Sequence, residues 1–239
     1  MKQSMQTYTS DDYKVWKTLF ERQELNLVDK VCVEYQSAIS NMSEVLNSKE
    51  IPNFNKINEW FKDSTEWQIE VVPGLIPVEE FFGLLAEKKF CSSTWLRAMN
   101  QLDYLEEPDM FHDIFGHVPL LTNPIFSKFM QLFGEIGVRN LDNLNYLTQL
   151  QRLYWYTIEF GMIDIENPKI YGAGIISSFG ETNHSMSKEI KKIKFDIDEI
   201  LMKPFKIDEV QNEYVYIDSF SNLFDSITNL ANINLCQLG

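Results

Sequence analysis

Two histidines and one glutamate stand in segments of the chain that are otherwise apolar. His112 and His117 lie five positions apart among phenylalanine, isoleucine, valine and leucine residues. Glu159 follows six residues of which five are large and apolar or aromatic. Because burying an ionised carboxylate without a partner is costly, we expect either a cation beside Glu159 or a raised pKa. Two imidazoles and one carboxylate suit Fe(II) and leave coordination positions open for oxygen chemistry.

Each of these residues also has a simpler interpretation. A single histidine on an apolar face is more often a hydrogen-bonded core residue, and Glu159 is equally compatible with the exposed side of a partly buried helix. A zinc hydrolase is a further alternative. Zincins, however, place two histidines four positions apart with a glutamate between them, whereas here the spacing is five and Asp113 follows the first histidine.

The spacing of the histidines constrains the backbone between them. Five residues of a continuous α-helix turn through about 500°, which would leave the two rings about 140° apart. We therefore predict that the helix stops between His112 and His117. Gly116 would supply a left-handed residue and Pro119 would prevent continuation, so that His117 turns back towards His112.

Hydrophobic periodicity predicts the elements that must position these residues. The first predicted helix follows a cap at Ser10. Further helices are predicted over residues 27–46, 78–87, 123–138, 144–160, 182–193 and 220–232. Short strands are predicted at 67–71 and 90–95, and a glycine-rich loop at 171–180. The pattern is typical of a mainly α protein with a few short β-strands (α+β), and we predict a single domain over residues 1–239.

Composition excludes several classes of partner. With 21 basic and 35 acidic residues, the net charge of -14 disfavours binding to nucleic acids and to anionic membranes. Cys32, Cys91 and Cys236 are widely separated, which argues against a disulfide framework and against a cysteine zinc site. No apolar run approaches the roughly 18 residues of a membrane span. We expect a cytoplasmic protein.

Three longer motifs resemble a known family. The strings EPDMFHDIFGHVPL (107–120), LYWYTIEFG (153–161) and YGAGIISSFGE (171–181) are similar, in order and in register, to the pterin-dependent aromatic amino acid hydroxylases, most of all to the single-domain bacterial phenylalanine 4-hydroxylases. The resemblance covers residues 67–220, whereas residues 1–65 carry no matched motif. Nothing in the chain resembles the tetramerisation helix of animal members, so we expect a monomer.

The resemblance assigns roles around an iron ion. It implies that His112, His117 and Glu159 are the metal ligands and the catalytic centre. Ser177 would hydrogen-bond the first ligand histidine and fix its ring.

The resemblance also implies a site for the amino acid substrate. Arg97 would grip the substrate carboxylate, a role that suits a planar donor, and Asp109 would support this arginine. The implied substrate-binding residues are Arg97, Pro108, Trp155, Phe160, Gly174 and Ser177. Of these, Pro108, Trp155 and Phe160 would surround the substrate ring, and Gly174 would let backbone approach closely.

A reduced pterin is the implied cofactor beside Fe(II), as tetrahydrobiopterin or a related tetrahydropterin. It would stack on Phe81, accept and donate backbone hydrogen bonds near Gly74 and Ile76, and contact Asp113 through water. The implied reaction is ring hydroxylation of L-phenylalanine to L-tyrosine with O2, a step of phenylalanine catabolism.

Some positions bear on the choice of substrate. Trp155 argues against a tryptophan hydroxylase, in which a smaller phenylalanine is expected. Leu105 replaces a threonine near the substrate carboxylate, and Ile207 aligns where tyrosine hydroxylases carry an acidic residue. The alternatives are a tyrosine or tryptophan hydroxylase, a metal-dependent hydrolase, and a non-catalytic amino-acid-binding relative. His184 lies in a polar stretch, and we predict that it is on the surface.

Overall fold

A computed structural model describes residues 1–103, 107–207 and 209–237, with side chains as far as Ala231. The helices are α1 Ser10–Asn26, α2 Val33–Asn41, α3 Phe54–Phe61, α4 Val78–Ala86, α5 Pro124–Arg139, α6 Leu144–Tyr154, α7 Ala173–Ile176, α8 Phe179–Ser185, α9 Ile197–Met202 and α10 Phe220–Gln237. The strands are β1 Gln68–Val71, β2 Lys89–Ser92, β3 Gly161–Ile163, β4 Lys169–Ile170, β5 Lys191–Lys194 and β6 Glu213–Ile217. The predicted fold class, mainly α with a few short strands, is confirmed.

Two small sheets flank the helices. β1 and β2 pair in parallel, and the other four strands form a mixed sheet in the order β4-β3-β6-β5. β3 runs antiparallel to β4 and parallel to β6. Since β3 begins two residues after Glu159, this sheet fixes the chain as it leaves that residue.

The first helix and its cap both lie one residue earlier than the sequence predicts. Thr9 is the N-cap: its hydroxyl accepts from the N–H of Asp12, while the Asp12 carboxylate accepts from the N–H of Thr9 at 2.7 Å. This reciprocal capping box needs an acidic residue three positions after the cap. Thr9 has one, whereas the residue three positions after Ser10 is Tyr13.

The helix predicted over 27–46 is present but much shorter than predicted. Asp29 takes a left-handed conformation (φ 61°) that turns the chain, and α2 covers only Val33–Asn41. The turns that follow still bury Met42 and Leu46. The apolar stripe therefore continued through segments that are not helical, because they face the same core.

Two predictions for the next segments differ from the structure: 171–180 was predicted as a loop, and 182–193 as a helix. α7 covers residues 173–176 and α8 begins at Phe179, so most of 171–180 is helical. The side chain of Ser178 caps α8 by accepting from the N–H of Glu181 at 3.2 Å. Residues 191–194 form β5, which pairs with β6. The predicted strand over 90–95 ends at Ser92, which leaves Arg97 in a loop.

Aromatic packing forms the core directly behind the histidine segment. The rings of Phe111 and Phe115 stack with centroids 4.7 Å apart, and Trp16 and Phe20 of α1 meet them edge-on at 5.6 Å and 5.0 Å. The N-terminal helices are thus built into the wall that supports His112 and His117. Within the described part of the chain, no helix has the length and apolar character needed to span a membrane.

Candidate metal centre and substrate pocket

His112 and His117 lie on a π turn, not on either side of a helix break. Residues His112–His117 form one π-helical turn, and Gly116 does not have a positive φ. A π turn takes i→i+5 hydrogen bonds, so residues five apart come onto one face of the chain. The predicted break is therefore wrong, but the predicted outcome, two rings on the same side, is what the widened turn produces.

Close packing against α7 explains the glycine in this turn. A Cβ atom at Gly116 would lie 2.9 Å from the carbonyl oxygen of Ala173. Such a contact requires something to move, so the turn can approach α7 only with glycine at this position.

A second π turn presents Glu159. α6 ends at Tyr154, and Trp155–Glu159 continue as a π turn where the sequence predicted an unbroken helix. The Glu159 carboxylate lies 3.1 Å from Nε2 of His117 and 3.7 Å from Nε2 of His112. The two Nε2 atoms are 3.2 Å apart. One potential ligand atom from each residue thus falls within 4.8 Å of the other two.

The protonation states of these groups fit a metal centre. Burial lowers the pKa of His112 to about 4, so its imidazole is neutral at physiological pH. Burial acts to raise the pKa of Glu159, but His117 and His112 outweigh it and lower that pKa below the usual range. The carboxylate is therefore ionised, and the raised pKa that the sequence left open is not found. Neutral imidazoles and a carboxylate are the forms that coordinate metal ions.

Ser177 fixes the tautomer of His112. Its hydroxyl lies 2.8 Å from the carbonyl of Ala173, to which it donates, and 2.9 Å from Nδ1 of His112. A hydroxyl has one proton, so Nδ1 of His112 must be the donor to Ser177. The lone pair of Nε2 is then directed to the cluster, as a metal ligand requires.

Arg97 is buried against Asp109. Its Nε and NH2 groups donate to the two carboxylate oxygens of Asp109 at 2.8 Å and 2.7 Å. Asp109 also accepts from the backbone N–H of Arg97 at 3.0 Å and of His112 at 3.1 Å. Asp109 therefore orients Arg97 and ties it to the first histidine. NH1 donates to the carbonyl of Leu102 at 3.4 Å, and the other N–H groups of the guanidinium remain for a ligand in the cavity.

One cavity of about 790 Å³ joins these groups. It is lined by every residue to which the family resemblance assigns binding: Gly74, Ile76, Phe81, Arg97, Pro108, His112, Asp113, His117, Trp155, Glu159, Phe160, Gly174 and Ser177. The structure thus brings all of these residues together, and their individual roles stay predictions.

The aromatic wall of the cavity contains residues that the sequence did not indicate. Trp155 packs on Phe160, with centroids 4.7 Å apart, and stacks on Phe205 at 4.7 Å and 22°. Its indole N–H donates to Oε1 of Gln211 at 3.1 Å. Phe205 and Gln211 lie in a segment without periodicity between α9 and β6, so no pattern marked them.

His184, predicted on the surface, is partly exposed and also belongs to the support of this wall. Its Nε2 lies 2.9 Å from the carbonyl oxygen of Gln211. Leu105, to which the sequence assigned the loss of a substrate contact, lies outside the described residues.

A second group of cavity-lining residues surrounds Phe81 and Asp113. Phe81 meets Tyr154 edge-on at 5.4 Å, and Tyr154 stacks on His117 at 6.1 Å. Asp113 accepts from the backbone N–H of Ser93 at 3.0 Å, and burial raises its pKa to about 7. Tyr154 was missed because it reads as one more apolar position of α6.

Gly174 approaches the cluster closely enough for a test. A Cβ atom there would lie 3.2 Å from Oε2 of Glu159 and 3.0 Å from Cζ of Phe160. We expect Gly174→Ala to push the carboxylate away and weaken metal binding severalfold, while the melting temperature changes little. Titration with Co(II) and thermal melting of the apoprotein measure both effects, and an unchanged affinity would show that the carboxylate adapts.

Comparisons with known proteins place the chain in a family. The profile of the biopterin-dependent aromatic amino acid hydroxylases matches residues 2–235. A phenylalanine-4-hydroxylase of Ralstonia nicotianae is 44% identical over 228 residues, which are 95% of this chain and 72% of that protein.

Solved structures agree with this assignment. The phenylalanine hydroxylase of Chromobacterium violaceum with bound iron(III) and 7,8-dihydrobiopterin has a TM-score of 0.91 and 41% identity, and the match covers 99% of this chain and 86% of that one. The same enzyme with iron and phenylalanine has a TM-score of 0.88 and 40% identity over 95% and 82% of the two chains. This chain belongs to the biopterin-dependent aromatic amino acid hydroxylase family.

Proposed function

We propose that this chain is an iron- and tetrahydropterin-dependent monooxygenase that hydroxylates the ring of L-phenylalanine to L-tyrosine with O2. The observation that carries the proposal is the shared cavity: two histidines and a carboxylate meet there with a buried arginine and an aromatic wall. The related enzyme of known structure binds iron, 7,8-dihydrobiopterin and phenylalanine in the same fold.

His112, His117 and Glu159 would hold Fe(II). Their donor set fits, since two imidazoles and one carboxylate leave positions free on the ion. The ion and the reduced pterin together supply oxygen activation, with the pterin as the source of the two electrons that O2 reduction needs beyond those of the substrate.

The protein's own residues would bind and orient the amino acid. Arg97, held by Asp109, offers its remaining N–H groups to the substrate carboxylate. Trp155 and Phe160 would pack on the substrate ring, together with Phe205, which stacks on Trp155. This wall would keep water from the reacting carbon and hold it facing the metal ligands.

The pterin would occupy the end of the cavity lined by Gly74, Ile76, Phe81 and Asp113. The ring of Phe81 is partly buried, and its edge-on contact with Tyr154 holds the ring in place. This arrangement leaves a face of the ring for stacking, and the raised pKa of Asp113 lets its carboxyl donate or accept near neutral pH.

Oxygen consumption tests the function. The purified protein, supplied with Fe(II) and tetrahydrobiopterin, should consume O2 and form tyrosine when phenylalanine is added. Tyrosine or tryptophan as the better substrate would move the chain to another activity of the family. Phenylalanine binding without turnover would support a non-catalytic relative, and pterin-independent hydrolysis with zinc would support a hydrolase.

Phe81→Ala tests the pterin position. A stacked aromatic contact contributes about 0.5–1.5 kcal/mol beyond the area that it buries, so we expect the KM for the pterin to rise about two- to tenfold. The KM for phenylalanine should change less, because the ring of Phe81 packs on Phe82 and Tyr154 and not on the proposed substrate-binding residues Arg97, Trp155 and Phe160. A pterin KM equal to that of wild type would move the cofactor elsewhere.

We also propose a cytoplasmic location. The described cysteines, Cys32 and Cys91, are free thiols, and burial raises the pKa of each to about 12, so that they stay protonated and unreactive. Free thiols suit a reducing compartment. The side chain of Cys236 lies outside those described.

A further inference from the structure

The first two helices reach the metal centre through hydrogen bonds to its backbone. α1 and α2 carry no motif of the resemblance, and their side chains read as ordinary packing. Two of those side chains nevertheless donate to backbone carbonyls near the metal centre. One carbonyl lies between the two ligand histidines in sequence, and the other belongs to the residue just before Ser177. The two side chains are Tyr35, from α2, and Gln23, from α1.

Tyr35 supplies a donor that the sequence of the π turn lacks. In an α-helix the carbonyl of Phe115 would accept from the N–H of residue 119, but that residue is Pro119 and has no N–H. The buried hydroxyl of Tyr35 donates to the Phe115 carbonyl at 2.7 Å instead. Phe115 stands between the two histidines, so this bond acts on the turn that sets their separation.

Gln23 holds the turn that presents Ser177. Its buried amide nitrogen donates to the carbonyl of Ile176 at 2.5 Å and to the hydroxyl of Thr182 at 2.8 Å. Ile176 immediately precedes Ser177, the partner of His112 Nδ1. Both amide protons of Gln23 are thus used to anchor the segment around that serine.

We propose that Tyr35 and Gln23, together called the N-terminal brace, are positioning residues of the metal centre. Tyr35 acts through the backbone of the π turn, and Gln23 acts through Ser177. Neither residue touches the cavity, so the brace sets where the ligand atoms of His112 and His117 lie without itself binding metal or substrate. The inference rests on the metal centre proposed above and adds two residues from outside the matched motifs.

Substitutions that keep the packing separate this role from a purely structural one. Tyr35→Phe removes only the hydroxyl, and Tyr214→Phe is its matched control, because Tyr214 is also fully buried and donates its hydroxyl at 2.8 Å to Glu181, away from the metal ligands. Removing a group that orients a metal ligand lowers metal affinity by roughly 10- to 100-fold. We expect Tyr35→Phe to weaken Co(II) binding by about tenfold or more and to change the Co(II) ligand-field spectrum. Tyr214→Phe should do neither.

A double-mutant cycle tests the route from Gln23. Gln23→Met keeps the length of the side chain but removes both donors. As a single substitution in the wild-type background, we expect it to weaken Co(II) binding. If Gln23 acts through Ser177, it should have little further effect in a Ser177→Ala background, since coupled residues are non-additive. Full additivity of the two substitutions would overturn that route.

The measurement is the dissociation constant for Co(II) of the full chain, by competition with a chelator, beside the melting temperature of each apoprotein. Variants that melt earlier yet bind Co(II) like wild type would show that the brace is only structural. If Tyr35→Phe does not fold, the Gln23 and Ser177 cycle decides alone. A wild-type protein that does not bind Co(II) would refute the metal centre itself, whereas normal binding by both brace variants would refute only the brace.

Discussion

Glu159→Gln is expected to leave a folded protein that binds iron poorly and has almost no hydroxylase activity. The amide keeps the shape of the carboxylate but removes the anionic oxygens, which lie 3.1 Å and 3.7 Å from Nε2 of His117 and of His112. Loss of a group that merely orients a ligand costs roughly 10- to 100-fold in metal affinity, and we expect the loss of a ligand itself to exceed that. The apoprotein should stay folded but melt somewhat earlier, because the lowered pKa of Glu159 means that its ionised form is stabilised in the folded protein.

Glu181→Gln is the matched control for this prediction. Glu181 is also a largely buried glutamate, but its carboxylate accepts from the hydroxyl of Tyr214 and the backbone of Gln211, and not from a metal-ligand histidine. Its substitution should leave the Co(II) dissociation constant unchanged. Iron content, Co(II) affinity and tyrosine formation are measured for both variants. Wild-type iron content and turnover in Glu159→Gln would refute the assignment of the ligand.

The composition of the site was predictable from the sequence to the extent that polar residues stood where apolar ones are expected. Glu159 within an aromatic run and the two histidines among apolar residues drew attention for that reason, and all three line the cavity. Pocket aromatics such as Trp155 carry no such contrast. They were predicted only through the resemblance, because a buried aromatic residue looks the same in a core and in a binding wall.

The backbone of the site was not predictable from helical periodicity. A five-residue spacing between histidines excludes a regular α-helix but does not distinguish a break from a widened turn. The structure uses the widened turn twice, at His112–His117 and at Trp155–Glu159. Neither π turn contains a left-handed glycine or a polar loop, the features that mark a helix end in a sequence.

Support of the site from distant residues was the least visible feature. Tyr35 occupies a position of the apolar stripe of α2, and Gln23 reads as a polar residue near the end of α1. What distinguishes them is the acceptor that each meets in the folded protein, 80 and 153 residues further along the chain. Sequence patterns within one element contain no information about such partners.

Arg97→Lys is expected to raise the KM for phenylalanine steeply. A charge-assisted hydrogen bond contributes about 1.5–3 kcal/mol, which corresponds to about ten- to more than a hundredfold in affinity. Arg97 spends Nε and NH2 on Asp109 and still has N–H groups for a ligand. A lysine ammonium is a single centre that cannot span Asp109 and a substrate carboxylate in the same way. The substitution therefore keeps the positive charge of residue 97 but loses the guanidinium's hydrogen-bonding geometry.

The metal centre should be nearly unaffected by this substitution, because Asp109 keeps the backbone N–H bonds from residue 97 and His112, at 3.0 Å and 3.1 Å. Steady-state kinetics with varied phenylalanine and varied pterin, beside iron content, test this separation. Phenethylamine, which lacks the carboxylate, is the control ligand: it should bind wild type poorly and lose little further affinity in Arg97→Lys. If the variant binds phenylalanine normally, or loses its iron instead, then Arg97 serves the Asp109 network alone and another residue must bind the carboxylate.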